Sequence, residues 1–435
     1  MWFLFASCPG LRAADRGENV VINCIIGGAI FGVPGELTRL LGRASPFAVV
    51  CAALCMAVIM LPVTEVASQF SDSGGPYLYV RYAFGHFASI QIGWFHLLTL
   101  ISTVAALSNL FVDHLSTILP SPMNIWVRDS IIAILIAAPA IANYLGVQSG
   151  SALSNAITIA KLSPLLLLAV IGLLHFAKEP QITHISEITS PGLSNWARAM
   201  VFGLFLFGGW EDALIPTGEI NEPRRTIPFA LGSGLAVCAA IFVLLQFLTV
   251  ATIGTKATGT PLPAAASVLL GRGGALFVFI AAMVSIAGWI AADLLNAPRL
   301  VYSLAAARDF PSLFAKLHDR FHTPAAAIVL YALMAWVLAV SGGFLWAAAL
   351  SAGSTMIYYA VTCASLIRLR QLRPDLDVLR IPVGSTLSVL GSAISIALLT
   401  GLKRSELLLM CVTVLIAAVN WLWTKRHYDE PTHRV

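Results

Sequence analysis

The sequence predicts an all-α protein that crosses a membrane about twelve times. Of its 435 residues, 58% are hydrophobic and 11% are charged. A soluble domain carries about 25% charged residues, so no single soluble core could absorb this much apolar surface. The apolar residues fall in successive runs, each near the twenty or so residues that a helix needs to cross hydrocarbon, divided by short polar or Gly/Pro-rich turns. Two of those runs are interrupted by paired glycines, Gly27-Gly28 and Gly208-Gly209, and these interruptions set the organisation of the chain.

The interruptions are physically unusual. Inside hydrocarbon every backbone N–H and C=O needs a partner, so a membrane helix unwinds only where protein, a cavity or a ligand supplies one. The second break is followed at once by the acids Glu211 and Asp212, then by Pro216 and the basic pair Arg224-Arg225. An acid at mid-span costs about 2.5 kcal/mol or more, which makes it a functional candidate. The first break, Ile26-Gly27-Gly28-Ala29-Ile30-Phe31-Gly32, is likewise followed by a proline, Pro34. One break alone could be a kinked packing helix, since glycine is common in membrane spans. Two matched breaks about 180 residues apart leave room for about five spans each. Gly-interrupted spans at matching places in two halves point to a transporter binding site.

The elements follow in order. Residues 1–18 form an N-terminal segment without the basic region of a signal peptide; Asp15, Arg16 and Glu18 crowd the first apolar run, and the segment is read as a shortened or misassigned start. Span 1 is expected at 19–41 and span 2 at 46–69, with Glu65 snorkelling near its end. A Gly74-Gly75-Pro76 turn precedes span 3 at 85–112; spans 4 and 5 follow at 129–147 and 153–176, the latter carrying Lys161. After a polar loop, span 6 is the run broken at Gly208, and span 7 is expected at 228–253. Pro261 to Gly274 reads as a loop with a short helix, before span 8 at 273–303 with Ser285, Asp293 and Arg299. Residues 304–323 form the longest interior loop. Spans 9 to 12 are expected at 324–341, 344–366, 384–402 and 406–424.

Lys and Arg gather in the segments that share a side with both termini, among them Arg81, Arg224, Arg225, Arg308, Lys316, Arg368 and Arg370. That bias predicts cytoplasmic termini in a cell (inner) membrane. The net charge of +5 is read as the same loop bias and not as nucleic-acid binding. Of the seven cysteines only Cys8 lies outside an apolar run, so no disulfide framework is expected. The nine histidines have no metal-ligand spacing and no Gly-x-x-x-x-Gly-Lys occurs, so neither metal, cofactor nor enzyme activity is expected.

These residues resemble the amino acid–polyamine–organocation transporter family. Ile26-Gly27-Gly28-Ala29-Ile30-Phe31-Gly32-Val33-Pro34-Gly35 is similar to its first-helix signature, and Gly74-Gly75-Pro76-Tyr77 to its loop after helix 2. Phe207-Gly208-Gly209-Trp210-Glu211 with Gly218 to Arg225 resembles its sixth helix and the loop that follows; Ala297-Pro298-Arg299 to Pro311, then Thr323-Pro324, resembles its helix 8–9 region. Ala29 stands where the family usually has glycine, which narrows backbone freedom at the break. The resemblance implies two inverted five-helix repeats (19–176 and 196–366), peripheral helices at 384–424 and a cytoplasmic tail at 425–435. It implies a secondary active amino acid transporter working by alternating access, coupled to protons. An amino acid or amine exchanger without proton coupling is the alternative, and a polytopic membrane enzyme a remote one.

The chemistry suits a zwitterion. N–H groups at residues 28–31 open a half-helix whose positive end favours a carboxylate. Carbonyls at Ile25-Ile26 and at Phe205 to Phe207 can accept from an ammonium. The expected substrate-binding residues are therefore Ile26, Gly27, Gly28, Ala29, Ile30, Phe205, Phe207, Gly208, Gly209 and Glu211. By resemblance Phe205 takes the place of an aromatic gate, and Lys161 the place of a sodium ion bound between helices 1 and 8 in sodium-coupled relatives. Lys161, Glu211 and Ser285 are the expected coupling residues. Trp210 is read as packing. For Glu211 the half-helix dipole favours the ionised form and mid-membrane burial favours the protonated one; the larger burial effect predicts a protonatable group.

Overall fold

The computed structural model describes residues 21–70, 75–119, 123–146, 151–178, 191–211, 223–254, 259–374 and 379–428. The expected N-terminal segment, Asp212 and the Gly218–Glu222 part of the resemblance lie outside them. Among the described residues all regular structure is helical. Residues 21–25 form a half-helix, 26–28 bend, and a 3-10 turn at Ala29–Phe31 leads into α1, Val33–Leu41. Pro34 sits in the first turn of α1, where its missing N–H would be unsatisfied anyway.

The remaining helices are α2 (Ser45–Ala67), α3 (Gly75–Phe84), α4 (His86–Leu115), α5 (Ile125–Tyr144), α6 (Ser151–Lys178), α7 (Leu193–Phe207) and α8 (Pro223–Ile253). Then come α9 (Pro261–Asn296), α10 (Pro298–Ala306), α11 (Ala325–Ser341), α12 (Phe344–Leu372), α13 (Gly384–Leu398) and α14 (Arg404–Tyr428). Among the described residues eight helical runs are long and apolar enough to cross a membrane, with α1 and α2 counted as one run and α9 and α10 as another, and Lys161–Phe176, Leu193–Phe207 and Ala325–Ser341 are shorter apolar helices. The chain is an all-α, multi-pass membrane protein.

Two expectations need correction. The segment Pro261 to Gly274 is not a loop: it is helical from Pro261, with one kink at Gly271 (φ 69°). Its prolines fit a first helical turn, and only the kink requires glycine. Glu65 does not snorkel. It is fully buried, takes Arg370 Nε and Nη2 at 2.7 Å each, and accepts the Ile381 N–H at 2.9 Å. A buried carboxylate is tolerated when paired in this bidentate way.

The most apolar windows of α4 and α12 are 78% buried, against 17% in α5 and 22% in α14; α4 and α12 are thus central and α5 and α14 face outward. Contacts come in pairs. α4 packs on α12 as α9 packs on α6; α11 packs on α4 as α5 packs on α9; α12 packs on α2 as α6 packs on α8. Shifting each span by five converts the first contact of each pair into the second. α13 and α14 lie against α2, α4 and α12, outside this exchange.

The loops that carried the resemblance meet at one end of the bundle. Asp309 is fully buried; it accepts from the Tyr77 hydroxyl and lies 3.3 Å from Arg81 Nη1 and 2.5 Å from His86 Nε2. Burial, with Asp309 beside it, pushes the Tyr77 phenol above its usual range, so it remains a donor to this carboxylate.

Candidate functional site

The two breaks touch. Gly209 has φ +97°, and a Cβ there would come within 2.7 Å of the Cys24 carbonyl oxygen. Both the left-handed backbone and the close approach require glycine. Gly27 faces Trp289 in the same way, its added Cβ falling 3.2 Å from the indole; at Gly28 the neighbours would be Leu107 at 2.9 Å and Ile286 at 3.0 Å. The glycines thus let α4, α7 and α9 close on the first break.

A cavity of about 70 Å³ lies at this junction, and Gly27, Gly28, Ala29, Phe205, Gly208, Gly209 and Glu211 line it. The structure brings these seven expected residues together. Ile26, Ile30 and Phe207 do not line it: all three are buried, and Phe207 packs on Phe242 with ring centroids 5.3 Å apart. They neighbour the breaks in sequence, but a helical step of one residue points to another face. Ala29 fits because it opens the 3-10 turn in right-handed backbone, following Gly28 at φ −77°.

The backbone at each break is half satisfied. In the first, Gly27 N–H bonds Ile25 O at 2.9 Å and Phe31 N–H bonds Gly28 O at 3.1 Å. The N–H groups of Gly28, Ala29 and Ile30 have no hydrogen bond among the described residues. In the second, Gly208 N–H reaches Phe205 O at 3.4 Å, and the Leu206 and Phe207 carbonyls receive no backbone N–H among the described residues.

Ions occupy the other two ends. Lys161 is buried, and its Nζ donates to Asn23 O at 2.8 Å. That carbonyl closes the half-helix before the first break, where the dipole favours a cation. Glu211 accepts from Gly209 N–H at 3.1 Å, from the Tyr359 hydroxyl at 2.8 Å and from the Tyr358 hydroxyl. Lys161 sits one residue behind the cavity wall formed by Cys24 and Ile25. Ser285 is buried and its hydroxyl has no partner among the described residues, so it is not bonded to Lys161. Trp210 is fully buried, donates to the Met56 sulfur at 3.2 Å and packs on Tyr359.

Sequence reasoning missed the opposite wall. His96, Thr99 and Thr103 on α4 and Ser351, Thr355 and Tyr359 on α12 all line the cavity. Their spacings, i, i+3, i+7 and i, i+4, i+8, place each set on one helical face. Polar residues recurring at that period inside an apolar span are the signal that could have found them.

The comparisons agree with this geometry. Residues 19–424 match the family described as Amino acid permease. The chain is 26% identical to the serine/threonine exchanger SteT of Bacillus subtilis, with 74% of each chain covered. It is 24% identical to the human b(0,+)-type amino acid transporter 1, over 95% of this chain and 87% of that protein. A cystine/glutamate transporter of Pongo abelii is 25% identical over 83% of this chain and 74% of its own length. The chain belongs to the amino acid permease family, among the amino acid–polyamine–organocation transporters.

Proposed function

We propose that the protein is a secondary active carrier of amino acids or related amines, working by alternating access and driven by protons. The observation that supports it most is the complementary polarity at the touching breaks: among the described residues, the N–H groups of Gly28 and Ala29 and the Leu206 carbonyl, all of residues that line the cavity, have no backbone partner. A carboxylate suits the first set and an ammonium the second, so a zwitterion bridges them. Phe205, at the cavity and edge-on to Phe344 at 6.4 Å, closes over the substrate. Lys161 carries the coupling proton: losing it would turn the charge-assisted bond to the Asn23 carbonyl into a weaker neutral one and loosen the first break. Glu211 contributes to coupling through the two tyrosines it holds, and Ser285 lines the same region. The carrier sits in the cell membrane with both termini cytoplasmic, as the basic loops favour.

Exchange without proton coupling is a second reading, favoured by the relative named as an exchanger. Uptake of labelled amino acids into proteoliposomes separates them. Proton drive predicts accumulation that follows an imposed pH gradient and vanishes with a protonophore. Exchange predicts uptake only when amino acid is loaded inside. Absence of both would overturn the carrier reading.

A further inference from the structure

The cavity also constrains the substrate's side chain, on the proposed reading that its amino and carboxylate groups lie at the two breaks. Size comes first. A water needs about 10–15 Å³ measured in this way, so about 70 Å³ admits a handful of heavy atoms. Trp289 over Gly27 and Phe205 against Phe344 bound that space with rigid rings.

Polarity comes second. The far wall is a seam of hydroxyls between α4 and α12: Thr99 meets Thr355 at 3.3 Å, and Thr103 meets Ser351 at 2.6 Å. Their protons are largely committed, since Thr103 Oγ1 lies 2.8 Å and Ser351 Oγ 3.3 Å from Thr99 O. A hydroxyl oxygen still has a lone pair after one such bond. Beside them His96 touches the Tyr358 ring at 5.5 Å. Its nitrogens make no hydrogen bond among the described residues, and the side chain is half-buried at the cavity. An imidazole can donate at one nitrogen and accept at the other.

Charge comes third. The carboxylate that reaches the cavity, Glu211, already holds three donors, and the nearby cation, Lys161, is turned to Asn23 O. A cationic side chain entering here would have to share Glu211 with those donors, and an anionic one would meet Glu211 itself, with Lys161 already engaged, so either would be desolvated with poor compensation among the described residues. We propose that the site selects small neutral amino acids with a hydrogen-bonding side chain of the serine and threonine type, and that His96 and the α4–α12 hydroxyl seam are its specificity determinants.

The test is competition against labelled L-serine in proteoliposomes of the full chain, with serine loaded inside and a pH gradient imposed in a parallel set. Serine and threonine should compete best. Alanine should be weaker by about tenfold or more, as expected where a built hydrogen bond is lost; leucine, phenylalanine, lysine and glutamate should be weaker still. Ser351→Ala and Thr99→Val should each narrow the serine-over-alanine ratio, and His96→Ala should let leucine compete. Because one variant could misfold, the wild-type ranking and the second variant each stand as tests. Leucine or lysine competing as well as serine would overturn the side-chain assignment and leave the carrier reading standing. An unchanged ratio in folded Ser351→Ala and Thr99→Val would remove the seam as determinant. Uptake of no amino acid in either set would overturn both readings together.

Discussion

The two broken spans solve the same problem with opposite charges. At the first break the cation Lys161 occupies the carbonyl end, at Asn23 O, and the N–H groups of residues 28–30 have no hydrogen bond among the described residues. At the second, the carboxyl of Glu211 occupies the N–H of Gly209, and among the described residues the carbonyls of Leu206 and Phe207 receive no backbone N–H. Lys161 sits where the dipole of the half-helix before the first break favours a cation. The open remainder at each break has the polarity that the other lacks, which is what a zwitterion needs from two unwound helices. The breaks also differ in reach. Lys161 acts on main chain directly, whereas Glu211 is itself held by Tyr358 and Tyr359 of α12. The first break is therefore tied to α6 through Lys161, and the second to α12 through a shared carboxyl group.

Substituting the glycine where the breaks meet should have the largest effect. Gly209→Ala imposes a positive φ on a residue with a side chain and drives its Cβ toward Cys24 O. Strain of about 1–3 kcal/mol is expected, and uptake per folded molecule should fall tenfold or more. Gly208→Ala is the control: Gly208 has φ −66°, and its added Cβ would meet Phe205 O at an ordinary 3.5 Å. Equal losses in the two variants would show that the contact between breaks has no special role.

Removing the cation comes next. Lys161→Ala removes the buried bond between the Lys161 ammonium and the Asn23 carbonyl, at a cost of about 1–3 kcal/mol, and the Tm should fall accordingly. Accumulation driven by a pH gradient should be lost while some substrate binding remains. Gradient-driven accumulation that survives with its pH profile intact would reduce Lys161 to a tether.

Removing the anion should do less. Glu211→Gln keeps a carbonyl oxygen for Tyr359 and Gly209 but turns an amide NH2 toward Tyr358 in place of an acceptor, so the loss in stability is about 1–2 kcal/mol. Substrate binding should persist with a flatter pH dependence. Retained pH dependence, or a selective loss of cationic substrates, would make Glu211 a fixed anion and the asymmetry between the breaks purely structural.

What was legible in the sequence follows the same division. The glycine pairs and Lys161 stand out because hydrocarbon tolerates neither unwound backbone nor a lone cation without a reason. The hydroxyl wall did not stand out, because Ser and Thr in a helix satisfy themselves on a preceding carbonyl, as Thr103 does on Thr99 O, and so resemble ordinary span residues. Their face became visible only when α4 and α12 were placed together. The tyrosine partners of Glu211 are 147 and 148 positions away, beyond any local pattern. Proximity in sequence also misled: Ile26, Ile30 and Phe207 flank the breaks yet turn away from the cavity.

The smallest effect is expected at Ala29, where the sequence departs from its family's glycine. If the first break needed conformational freedom at this position, restoring glycine should help transport. The structure argues otherwise. Ala29 lies in a right-handed 3-10 turn that already closes Gly32 N–H onto Ala29 O at 3.1 Å, and the close approaches fall on Gly27, Gly28 and Gly209 instead. Glycine within helical backbone costs roughly 0.5–1 kcal/mol relative to alanine. Ala29→Gly should therefore lower the Tm slightly and change apparent substrate affinity by no more than a few-fold. A clear gain in uptake would mean that the methyl restrains the first break during transport, and the comparison would then turn on backbone freedom as well as charge.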